Sequence, residues 1–182
     1  MQSSSLAALG GPHALALPSV RPLAVGLGGT ALFGFALRTA VTHEGLGVTH
    51  LGWAFALPTV TLLSWALCLP ALYILWATRQ PGLGFAHCVH AALEAVHTLG
   101  LSLASTTPLL WFFAATAPES RIASPLAWLF TVLALLAGGH AFTQALQRHG
   151  STSFTGFTRV AFLVLHAVTF AQCAHGAGLS WH

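Results

Sequence analysis

No Asp, Glu, Lys or Arg interrupts the chain between residues 44 and 79, 94 and 119, or 121 and 148. A helix that crosses a hydrocarbon core needs about 20 predominantly apolar residues, and each of these uncharged stretches is long enough to hold one. Of the 182 residues only 5% are charged, and the mean hydropathy is +0.78. Soluble domains carry about 25% charged residues, so this chain lacks the polar surface that water requires. The poverty of charge is stronger evidence here than the wealth of apolar residues. It predicts an all-α fold, a polytopic transmembrane helix bundle of about five spans.

The five apolar runs cover residues 22–41, 53–77, 85–107, 124–146 and 159–178, within a transmembrane domain over 21–182. Residues 1–20, broken by Gly10, Gly11 and Pro12, read as a flexible or interfacial lead-in, without the basic region and cleavage site of a signal peptide. Pro22 suits a first helical turn, and so does Pro125 after Ser124. Gly26, Thr30 and Gly34 recur every four residues and form a small-residue face for close helix packing; contact with other membrane subunits or self-association is its second use. Pro58 and Pro70 should kink the second run, which membrane helices tolerate when neighbours restore the lost bonds. Trp53, Tyr73 and Trp76 read as interfacial anchors. The third run stays apolar to Ala117, longer than one crossing, and Pro108 is expected to bend it near the far surface.

Cys68, Cys88 and Cys173 lie in separate apolar runs without paired spacing and read as small core residues. The net charge of +3 is too small and too scattered for a nucleic-acid partner. Arg21, Arg79, Arg148 and Arg159 fall on one side of the spans, and Arg38 and Arg121 on the other. By the positive-inside bias the N-terminus is cytoplasmic. A basic set made only of Arg fits a GC-rich bacterial genome, and with it the inner membrane, with lipids as the first partners.

The chemistry concentrates in one stretch. His87, His90, Glu94 and His97 are spaced by three, four and three residues, which puts them on one helix face. At 1.5 Å per residue, His90, Glu94 and His97 lie about 8, 13 and 18 Å past the start of the third helix. His140 lies about 9 Å from the end of the fourth and His166 about 10 Å into the fifth. Antiparallel helices then bring His90, Glu94, His140 and His166 to one slab in the cytoplasmic half, with His97 just deeper. A carboxylate at such a depth must be paired, protonated or bound to a cation.

Three readings fit. In one, the cluster only ties helices together. In the second, His87, His90, Glu94, His97, His140 and His166 supply a proton path or the ligands of a transition-metal ion, since imidazole and carboxylate suit such ions. In the third, His97 with His140 or His166 holds a haem or chlorophyll-type pigment, and Gly100, Gly138 and Gly139 make room for the ring. His43 and His50, in a Gly-rich loop, read as solvated, with a metal pair as the rarer alternative. Glu94 and His97 form only a single E-x-x-H, whereas a di-iron centre needs two. There is no phosphate loop, no G-x-S-x-G elbow and no H-E-x-x-H. The absence of large soluble domains argues against a self-contained enzyme.

Leu69, Pro70, Ala71, Leu72 and Tyr73, the short turn at 79–84 and the small-residue helix up to Pro108 resemble bacterial Yip-domain-like, uncharacterised five-helix inner-membrane proteins. The resemblance covers about a quarter of the chain, over residues 62–108. It implies a compact five-helix bundle and an accessory or membrane-organising role, and it implies no active site. The functional expectation is thus an integral membrane accessory protein or complex subunit with an intramembrane His/Glu cluster. The alternative is a redox subunit whose histidines ligate haem or pigment.

Overall fold

The computed structural model describes residues 20–42, 47–77, 84–116, 122–148 and 156–179. Five helices make up the fold: α1 Val20–Thr42, α2 Val48–Ala77, α3 Phe85–Thr116, α4 Ala123–Arg148 and α5 Gly156–Gly176. There is no strand among the described residues. The first four helices are long and apolar enough to cross a membrane, and α5 adds the apolar segment Val160–Gly176. The chain is an all-α bundle of about five spans and an integral membrane protein by length and composition. The N-terminal lead-in and the loop residues His43 and Glu44 lie outside the described residues.

Several boundaries differ from the sequence expectation. α2 begins at Val48, not at residue 53, because Gly47 caps it: its carbonyl accepts from His50 N–H at 3.1 Å. α3 runs unbroken through Pro108 to Thr116. In the turns before that proline the hydroxyls of Thr98, Ser102, Ser105, Thr106 and Thr107 all bond back to helix carbonyls. Their polar groups are thereby satisfied inside the segment, as a bilayer requires.

α3 is the central helix and packs most extensively on α1 and α4. Its contact with α1 is backbone to backbone. A Cβ on Gly26 would strike Val96 and His97, and a Cβ on Gly29 or Gly100 would strike the opposite glycine's helix. Gly34 makes the same kind of approach to Trp53 and Leu57 of α2, and Thr30 is fully buried. The Gly26, Thr30 and Gly34 face is therefore filled within one chain. α5 packs chiefly on α2. It ends in a Schellman motif: Gly178 has φ 71°, Leu179 N–H donates to Ala174 O, and Gly178 N–H donates to His175 O, both at 3.0 Å. Cys68 and Cys88 are buried and Cys173 is half-buried, all as free thiols.

Candidate functional site

The glycine contacts set the relative heights of the helices. Gly26 stands beside Val96 and His97, and Gly29 beside Gly100, so α1 and α3 run parallel; Gly138 of α4 stands beside Ala95 and Leu99. Continued at the helical rise, these registers bring Thr42 of α1 and Ala123 of α4 to the height of about residue 112 of α3. The start of α2 reaches the same height through its contact with Gly34. At the other end, the same registers bring Arg148 of α4 to the height of about residue 87 of α3, and Val20 of α1 to that of about residue 91.

The first turns of α3 project beyond the start of α1 and stand level with the end of α4. His87 stands in those projecting turns, His90 at about the height of Val20, and Glu94 beside the first turn of α1. The Glu94 carboxylate meets Arg148 Nη1 at 3.2 Å, with the two side chains 52% and 66% exposed. Side chains lean toward their own helix N-terminus, so on antiparallel α3 and α4 these two lean toward each other. Arg148 reaches back up its helix while Glu94 reaches down toward the headgroups.

The remaining residues of the stripe take separate partners. His87 occupies the third helical position of α3, with its backbone N–H on Gly84 O at 3.0 Å. His90 is half-buried on the same face. His97 Nδ1 lies 2.9 Å from the Pro22 carbonyl of α1. A carbonyl only accepts, so Nδ1 carries the proton and ties α3 to the first turn of α1. His140 is exposed, and the Gln144 amide N–H donates to its Nε2 at 2.9 Å. His166 is 1% exposed, and neither ring nitrogen has a hydrogen-bond partner. Its ring lies 4.3 Å from that of Trp65 and 5.9 Å from that of Phe162. The Trp65 indole N–H beside it is also buried without a partner.

Among the described residues no three His, Cys, Asp or Glu side chains come together as a possible metal shell. The expected convergence of His90, Glu94, His140 and His166 fails on direction more than on height. On α4, Gly138, Gly139 and Phe142 face the neighbouring helices, and His140 between them points outward. His166 faces Trp65 of α2. The room expected for a macrocycle is taken as well. Gly100 is closed by α1, Gly138 by Ala95 and Leu99, and Gly139 by Leu163. The residues present do not fit a haem or pigment ring at those positions.

Two features escaped the sequence reading. His50, expected to be solvated in a loop, is instead fully buried in the first turn of α2, where its Nδ1 accepts from Gly47 N–H at 3.1 Å, a capping contact from the third helical position back to the cap residue. The signal was present as Gly-x-x-His, which recurs at Gly84 and His87. At the same end of the bundle the Arg38 guanidinium lies 5.5 Å from the centre of the Trp53 ring, and Phe35 stacks on Trp111 at 6.3 Å. Trp53 is thus a cation-bearing anchor. The chain matches no protein-family model, and neither a curated protein nor a solved structure is significantly similar to it.

Proposed function

We propose that the protein is a non-enzymatic membrane accessory protein or complex subunit whose His/Glu belt fastens α1, α3 and α4 at one edge of the bilayer. The observation that carries this reading is the pair of cross-helix contacts on one face of α3, His97 to Pro22 and Glu94 to Arg148. They use the polar groups of the stripe as helix ties, where the metal and proton readings need them turned toward one another. The resemblance over residues 62–108 adds the accessory role. The bias of arginines adds that the Arg21 end faces the cytoplasm of a bacterial inner membrane.

The test is an absorption spectrum and a total metal analysis on the detergent-purified chain. Neither a Soret band nor stoichiometric metal is expected. Metal at one equivalent, lost in a His90→Ala or Glu94→Ala variant, would replace this reading with the metal-ion one. A Soret band would replace it with the redox one.

A further inference from the structure

α5 meets α2 in two unlike halves. In the half toward the Trp53 end, Phe170, Ala174 and Leu179 are buried in one core cluster with Leu57 and Val60 of α2. Beside them the two helices part into an apolar groove of about 520 Å³, lined by Gly52, Ala56 and Leu63 on α2 and by Cys173 and Gly176 on α5. A Cβ on Gly52 or Gly176 would meet nothing within 4 Å. In the other half the seam is closed by the rings of Trp65, Phe142, Phe162 and His166, and Leu163 fills the space over Gly139 of α4.

The closed half carries a cost that parting relieves. His166 Nδ1, His166 Nε2 and Trp65 Nε1 are buried without hydrogen-bond partners, and each keeps the desolvation cost of a missing bond. Parting the rings exposes them to acyl chains and water. Acyl chains are as apolar as the rings, so little is lost on that side of the balance, and water returns the three bonds. The α1–α3 seam has the opposite balance, because His97 there already bonds Pro22 O and parting forfeits backbone contact. The groove supplies the room for such a motion. α5 can tilt about Phe170, the end near Gly176 settling toward Gly52 as the His166 side leaves Trp65.

We propose that α5 is a gate helix that tilts about Phe170, parting from α2 at Trp65 and His166 while its other end enters the groove. With the rings in contact the gate is closed; in the open state His166 and Trp65 bond water. The inference goes beyond the accessory role and uses only the membrane setting.

Cys68 reads the gate, since it lies one turn beyond Trp65 on α2 and is 2% exposed. Cys88, 0% exposed, is the control, on α3, which packs chiefly on α1 and α4. The probe is N-ethylmaleimide on the full chain in native membranes, in a Cys173→Ser background, with the labelled fraction of each thiol followed by mass spectrometry. His166→Phe removes what opening gains, and Cys68 labelling is expected to slow about fivefold, equivalent to about 1 kcal/mol. Gly52→Leu fills the groove, leaves the imidazole in place and should slow Cys68 as well. Cys88 should keep its rate in both. A wild-type Cys68 that does not label, a Cys68 rate unchanged in either variant, or a fall shared equally by Cys88 would overturn the gate.

Discussion

The α1–α3 seam and the α2–α5 contact hold helices together by opposite means. In the seam, Gly26, Gly29 and Gly100 bring two backbones together with nothing between them. Between α2 and α5, Trp65 packs at a tilt against Phe162 and His166 at ring separations of 5.9 and 4.3 Å, and Phe142 of α4 closes the group at 5.1 Å from Trp65. Hydrocarbon is as apolar as a leucine side chain, so helix association in a bilayer depends on contact density and polar bonds rather than on escape from water. The seam reaches that density by removing side chains, the aromatic contact by filling the space with rings. The first arrangement has no tolerance for added volume. The second has spare chemistry, because it holds three ring nitrogens without partners.

Adding volume to the seam should have the largest effect. Gly100→Val places two methyl groups where the backbone of α1 already stands. Overpacking usually costs about 1–3 kcal/mol when neighbours can shift; backbone shifts less easily than side chains, so the loss should lie at or above the top of that range. The unfolding midpoint in a mixed-micelle titration would show it. A midpoint within error of wild type would mean that the two backbones are not in contact.

His166 sharpens the contrast from the other side. His166→Ala empties a buried ring site and should cost about 2 kcal/mol or more. His166→Phe keeps the ring and removes two buried nitrogens that lack partners, so it should be neutral or stabilising by about 1 kcal/mol. If His166→Phe destabilises the protein as much as His166→Ala does, the imidazole has a polar partner and the contact is not simply aromatic. The same pair of variants separates packing from function, since a phenylalanine cannot replace an imidazole that carries a proton or binds an ion.

How the two regions read in the sequence follows from what a bilayer does to hydropathy. Gly26, Thr30 and Gly34 were legible as a packing face, because small residues at a spacing of four have one physical use against another helix. The five runs were legible for the same kind of reason, as length and missing charge suffice. The directions of His140 and His166 were not. In water, polarity tells the outside of a helix from the inside, but in a membrane both the lipid side and the core side are apolar. A three-and-four spacing shows that His87, His90, Glu94 and His97 share a face without showing what that face meets. Relative heights were legible in part: the helix start at Phe85 was right, and the overhang of α3 beyond α1 emerges only from the register of Gly26 on Val96 and His97.

The smallest effect is expected at the rim, where Glu94 meets Arg148. Both side chains are more than half exposed, and exposed ion pairs contribute about 0.2–1 kcal/mol. Glu94→Gln keeps the shape and one hydrogen-bond acceptor, so the loss should fall at the low end of that range and shrink further in high salt. Beneath the pair, Gly138 of α4 packs on Ala95 and Leu99 of α3, a second glycine contact of the kind that joins α1 to α3. If glycine contacts hold α3 and α4 together, Gly138→Val must cost several times more than Glu94→Gln in the same titration. The reverse order would shift the weight of the α3–α4 association onto the polar rim, and backbone contact would then be the rule for α1 and α3 alone.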